Sequence, residues 1–76
     1  MNKYHFGGLL MKNVKPRLRK ILKEKNLTQN QLADMTGISQ ASISRFDKNA
    51  QHLDWHLVCI AEALEVAIEE LFEIEE

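Results

Sequence analysis

Hydrogen-bonding amides, hydroxyls and cations, rather than nucleophiles or metal ligands, make up the reactive inventory of this sequence. Thr28, Gln29, Gln40, Ser42, Ser44, Arg45 and Lys48 fall within 21 residues, and Arg17, Arg19 and Lys20 lie just upstream. Amides and guanidinium groups make paired hydrogen bonds to planar edges, hydroxyls make single ones, and ammonium groups act as point charges. Such a set suits a flat, hydrogen-bonding, polyanionic surface. Bond-breaking chemistry lacks its parts: no nucleophile is paired with a base, no glycine loop cradles a phosphate and no ligands cluster for a metal. An enzyme is therefore the poorest reading, and no cofactor is expected.

Other chemically distinctive residues have plainer explanations. His52 and His56 stand four apart, the spacing of a helical metal pair. However, His52 precedes the apparent helix cap at Asp54, and no further ligands accompany the two, so no metal site is expected. Cys59 is the single cysteine, which excludes an intramolecular disulfide. Flanked by Val58 and Ile60, it reads as a buried structural thiol rather than a redox sensor. Trp55 opens a helix and reads as packing over a small core, with a dimer interface as the alternative. Glu69, Glu70, Glu73, Glu75 and Glu76 read as a solvated acidic end, repelled from phosphate and so helping to orient the domain.

The elements that must position the polar set are short helices. Val14, Leu18, Ile21 and Leu22 recur at helical spacing, with Pro16 suited to the first turn. Thr28 with Gln31 forms a capping box, and Leu27 with Leu32 a hydrophobic staple across it. This second helix ends at Gly37, which takes a left-handed conformation without a Cβ penalty. The device then repeats, with Ser39 as cap and Ile38 and Ile43 as staple. Two short helices joined by about three residues around a glycine must cross steeply, which is the helix-turn-helix pattern. Leu53, Asp54 and Val58 predict a third staple and cap, opening a helix that carries Leu57, Ile60, Ala61 and Leu64. A last short helix carries Ile68, Leu71 and Phe72. The reading is all-α and five-helical, without strand signals.

At 76 residues the chain makes one domain with a small core. Its 45% hydrophobic and 28% charged residues fit a folded globule better than a disordered tail or a membrane span. No apolar run approaches the roughly 18 residues of a transmembrane helix. The apolar run Phe6 to Leu10 is too short for a signal peptide, and a reducing cytoplasm is the expected compartment. Residues 1–12 are set aside as an N-terminal arm or extension, with Met11 a candidate second start, and residues 13–76 form the domain.

The net charge of −1 conceals a sharp split. All ten lysines and arginines lie at or before Lys48, against three acids in residues 1–50, a net +7. Residues 51–76 carry eight acids and no Lys or Arg, a net −8. This asymmetry points to one face that meets a polyanion.

If Ile43 and Phe46 face the core, the opposite side of the third helix, about 39–48, carries Ala41, Ser44, Arg45 and Lys48, with Gln40 at its leading edge. Glutamine pairs with adenine, arginine with guanine, serine with either, and alanine touches a thymine methyl. Gln40, Ala41, Ser44 and Arg45 are thus the candidate base readers of a helix in the DNA major groove. Thr28, Gln29 and Ser42, at helix N-termini, and the cations Arg17, Arg19, Lys20 and Lys48 are the candidate phosphate contacts.

The segment 26–33, with Leu27-Thr28-Gln29 and Leu32-Ala33, and the segment Thr36-Gly-Ile-Ser-Gln-Ala-Ser-Ile-Ser-Arg-Phe46 closely resemble the Cro/C1-type helix-turn-helix family of phage and bacterial repressors. The resemblance continues to Ile68-Glu-Glu-Leu-Phe72 and covers roughly residues 14–73. It implies a compact five-helix, lambda-repressor-like domain that binds double-stranded operator DNA as a homodimer. It further implies that Gln40 reads bases, that Gln29 bonds both a phosphate and Gln40, and that Ile68, Leu71 and Phe72 belong to the dimer contact. Leu22 and Asp47 stand where the family often pairs an arginine with a glutamate, so that ion pair is not expected. Asn49 and Glu65 replace glycines, and Ala67 replaces a small polar cap.

Two functions compete. One is a transcriptional repressor or activator controlled by dimerisation, degradation or a protein antagonist. The other is a protein-interaction module of the same fold, an antirepressor, antitoxin or phage adaptor, without DNA contact.

Overall fold

The computed structural model describes residues 13–75; the expected N-terminal arm and the candidate start at Met11 lie outside them. Strand β1 (Asn13–Pro16) leads into helices α1 (Leu18–Glu24), α2 (Gln29–Thr36) and α3 (Gln40–Arg45). A 3-10 turn over Phe46–Lys48 follows, then helix α4 (Asp54–Leu64), a second 3-10 turn over Ile68–Leu71 and strand β2 (Phe72–Glu75).

One apolar cluster holds these pieces together. Leu18, Ile21 and Leu22 enter it from α1, Leu32 from α2, Ile43 from α3, and Ile60, Ala61 and Leu64 from α4. Ile38, Phe46 and Leu71 reach it from the connections. Spacings of three and four residues put each helix's apolar residues on one side, and the cluster is where those sides meet. Leu27 and Leu57 pack at its margin, as does Cys59, whose thiol is partly buried.

The all-α expectation is corrected by a small sheet. β1 and β2 run antiparallel, pairing Asn13 with Glu75, Val14 with Ile74, Lys15 with Glu73 and Pro16 with Phe72. Val14 therefore leaves the helical stripe that its spacing suggested and stands exposed on a strand. Pro16 ends that strand instead of opening α1. A residue before proline avoids the helical region, and a two-stranded ribbon has edges where the missing N–H costs nothing. Phe72-Glu73-Ile74-Glu75 does alternate with period two. Four residues are too few to declare a strand when the partner lies at the other end of the domain.

Three further expectations give way. The predicted fifth helix is only the four-residue 3-10 turn at Ile68–Leu71. Ala67 has no side-chain acceptor for the turn's free N–H groups, although the Glu70 carboxylate does accept the Ala67 N–H at 3.0 Å. The third staple does not form: Leu53 occupies the cap position of α4 without a side-chain cap, and both Leu53 and Val58 are exposed. Asp54 becomes the first helical residue, where its charge favours the positive end of the helix dipole. Trp55 does not cover the core. It is 51% exposed and meets the His56 ring edge-on at 4.3 Å.

No residue next to α1 caps its N-terminus. Arg17 makes no capping bond, and the free N–H groups of Leu18 and Arg19 donate instead to the carboxylate of Asp47, at 2.8 and 3.0 Å. Arg17 itself is tied to the far end of the domain. Its backbone N–H donates to the Leu71 carbonyl at 2.9 Å and its Nε to the Glu70 carbonyl at 2.8 Å.

Two substitutions test these placements. Leu32 is fully buried, so Leu32→Ala should cost about 2–5 kcal/mol in urea denaturation. Glu65, where α4 ends, holds a left-handed backbone at φ 57° and ψ 43°, which costs a residue with a Cβ about 1–2 kcal/mol. Glu65→Gly should therefore stabilise the protein by about 0.5–1 kcal/mol once glycine's greater unfolded-state freedom is deducted.

Candidate nucleic-acid interface

The junction between α2 and α3 is assembled from local hydrogen bonds. At the start of α2, Thr28 Oγ1 accepts from the Gln31 N–H at 3.0 Å, and Gln31 Oε1 accepts from the Thr28 N–H at 2.8 Å. At its end, Gly37 sits at φ 75° and donates its N–H to the Ala33 carbonyl at 2.9 Å. Thr36, which spacing did not single out as a structural residue, completes the bend. Its hydroxyl donates to the Leu32 carbonyl at 2.8 Å and accepts the Ile38 N–H at 3.2 Å. Ile38 then drops into the core. Ser39 Oγ caps α3 by accepting the Ser42 N–H at 3.1 Å and donates its own proton to Ser42 Oγ at 2.9 Å.

This bend, together with burial of Ile43 and Phe46, decides which side of α3 is presented. Gln40, Ala41 and Arg45 are exposed, and Ser44 and Ser42 are half-buried. The helix is shorter than the span 39–48, because after Arg45 the chain tightens into the 3-10 turn that carries exposed Lys48. Gln40 Nε2 donates to Gln29 Oε1 at 3.0 Å, linking the first turn of α3 to the first turn of α2. Each amide keeps free capacity: Gln29 retains its NH₂ donors, and Gln40 retains its carbonyl oxygen and one N–H.

The cations separate into two groups. Arg19 follows the Asp47-capped start of α1 and is exposed near the same turn as Lys48. Arg17 and Lys20 have partners at the C-terminal end of the domain. Arg17 holds the Glu70 carbonyl, and Lys20 Nζ lies 4.0 Å from Glu73 Oε1, an exposed pair worth little by itself. The ribbon also sets Lys15 opposite Glu73. The charge split along the chain therefore does not become two separated poles, since the acidic end folds back onto basic strand and helix.

The three residues expected at a dimer contact differ in exposure. Leu71 is 0% exposed, sealed in the protein's own core, while Ile68 is exposed and Phe72 half-buried. His52 is engaged structurally: its Nε2 lies 2.8 Å from the Phe46 carbonyl oxygen, and its ring sits 4.0 Å from that of Phe46. Among the described residues no three His, Cys, Asp or Glu side chains gather as for a metal. No helix among them is long and apolar enough to cross a membrane. An open recess of about 340 Å³, lined by Arg17, Ile21, Glu24, Lys25, Val66 and Glu70, takes no residue from α3.

Two helices bent sharply about a left-handed glycine, the second with a polar side facing out, define a helix-turn-helix domain. The chain belongs to the Cro/C1-type HTH DNA-binding domain family, whose model matches residues 17–76. Its fold is similar to that of the transcriptional regulator VanUg in crystal form II, with a TM-score of 0.66 at 20% sequence identity and all of both chains covered. No curated protein matches the sequence.

The bend supplies its own test. A Cβ built on Gly37 meets nothing within 4 Å, so Gly37→Ala should lose only the backbone term, about 1–2 kcal/mol. Gly37→Asn should lose less, because asparagine tolerates the left-handed region. Thermal unfolding of the two variants checks both the size and the order.

Proposed function

We propose that this protein is a sequence-specific double-stranded DNA-binding transcriptional regulator, a repressor that acts as a homodimer, with segment 39–48 in the major groove. The Gln29–Gln40 hydrogen bond carries the reading. It orients the first side chain of α3 and leaves free the atoms that base and phosphate recognition need. Gln40 has a carbonyl oxygen for the adenine N6 amino group and an N–H for adenine N7, while the Gln29 NH₂ is left for a phosphate. Ala41, Ser44 and Arg45 complete the base-reading face, Arg45 with the paired donors that suit guanine.

Phosphates on either side fall to Thr28, Gln29 and Ser42 at the helix starts and to Arg19 and Lys48 beyond the exit of α3. Arg17 and Lys20 join them with the donors that remain, since only Nε of Arg17 is committed to the Glu70 carbonyl and Lys20 is held by one exposed ion pair. A second copy meets the domain through Ile68 and Phe72, and each copy reads one half-site. Membership of a DNA-binding domain family and the likeness to a structure titled a transcriptional regulator support this reading.

Selection of bound sequences from a random duplex library at two salt concentrations tests it. Two symmetric half-sites about 34 Å apart should be enriched. Gln40→Ala and Arg45→Ala should each cost about 1–3 kcal/mol on the selected site and relax choice at one base pair. Arg19→Ala and Lys48→Ala should instead weaken all duplexes alike and lower the salt slope by about one. Absence of salt-dependent binding to any duplex, together with a stably co-purifying protein, would replace this reading with the interaction module.

A further inference from the structure

The exit of α3 is held by a carboxylate that base recognition does not use. Asp47, the second residue of the 3-10 turn, accepts the N–H groups of Leu18 and Arg19, which are 29 and 28 residues earlier in the chain. Leu18 is a core residue, so its N–H is fixed against the packed side of α1. The preceding residue, Phe46, is pinned separately, by burial of its ring and by His52 at its carbonyl oxygen. At the other end of α3, Ser39 and the Gln29–Gln40 bond fix the entry.

We propose that Asp47 is a positioning residue for the reading helix: its carboxylate, bridging two N–H groups of α1, sets the tilt of α3. The inference rests on the proposed DNA-reading role of α3. A six-residue helix is only about 9 Å long. Pivoted at its entry by about 10°, it would carry Arg45 sideways by about 1.5 Å, enough to spoil a paired hydrogen bond whose useful range spans about 0.5 Å. The charge matters as well as the shape, because a carboxylate offers an acceptor oxygen to each N–H whereas an amide offers one oxygen in all. This placement also gives α1 the N-terminal cap that Arg17 cannot provide.

The test uses the full chain carrying Asp47→Ala or Asp47→Asn, at a temperature where circular dichroism shows the variant folded. Residual dipolar couplings, recorded without DNA, report the orientation of α3 against α1 and α2. Binding to a selected site and to an unrelated duplex reports the specificity ratio. Asp47→Ala should reorient α3, expose the Leu18 and Arg19 amides to hydrogen exchange and lower the ratio about tenfold, with affinity for unrelated duplex changed less than about twofold. Asp47→Asn, keeping one bond, should fall between it and the wild type, and it serves alone if the alanine variant does not fold. A folded variant with unaltered couplings, or one with the wild-type ratio, overturns the proposal. A wild-type protein that binds no duplex defeats the proposed function separately, while the couplings still decide whether Asp47 orients α3.

Discussion

A helix of six residues has almost no stability of its own, because nucleating a helical turn costs more than so few hydrogen bonds return. α3 persists because Ile43 and Phe46 are buried on one side and because its two ends are hydrogen-bonded to other elements. Burial of these two residues is the constraint on which the rest depends. It turns Gln40, Ala41 and Arg45 outward as a consequence of packing, with no separate device needed to expose them. The bend at Gly37 follows from the same requirement, since Ile38 and Ile43 enter one core only if the chain reverses sharply between Thr36 and Ser39.

Hydrogen bonds across the junction narrow what packing leaves open. Hydrophobic burial is non-directional and fixes the buried side of a short helix better than its tilt. Directional contacts supply the remainder: Thr36 within the bend, Ser39 at the cap, Gln29 to Gln40 at the entry, and Asp47 to α1 at the exit. Asp47 and Leu22 stand where the family often places an ion pair. In this protein Leu22 joins the core and the Asp47 carboxylate turns to backbone N–H groups. In this chain the link between α1 and the end of α3 runs through those hydrogen bonds.

Pairing of the two termini of the described domain changes its electrostatics. A chain whose basic residues all precede Lys48 and whose last 26 residues are acid-rich suggests two opposed poles. The ribbon places Lys15 against Glu73 and brings Lys20 near the same carboxylate. Arg19, Arg45 and Lys48 are exposed and lie outside this ribbon. On the proposed reading, Arg19 and Lys48 face phosphates.

The caps of α2 and α3, the glycine bend and the outward side of α3 were legible in the amino-acid order because each depends on residues within about five positions of one another. Thr28 with Gln31, Ser39 with Ser42, and Gly37 after Thr36 are local pairings whose geometry any helix imposes. The core residues Leu32, Ile43, Ile60 and Leu64 were legible for the same reason, from periodicity. The sheet, the Asp47 cap, the engagement of Arg17 with Glu70, and the choice of Trp55 rather than Leu71 for exposure were settled only by tertiary structure. Each of these joins groups far apart in sequence, and a linear pattern carries no distance between them. A short strand acquires its identity from its partner, and a carboxylate finds its N–H donors only after the core has brought two helices together.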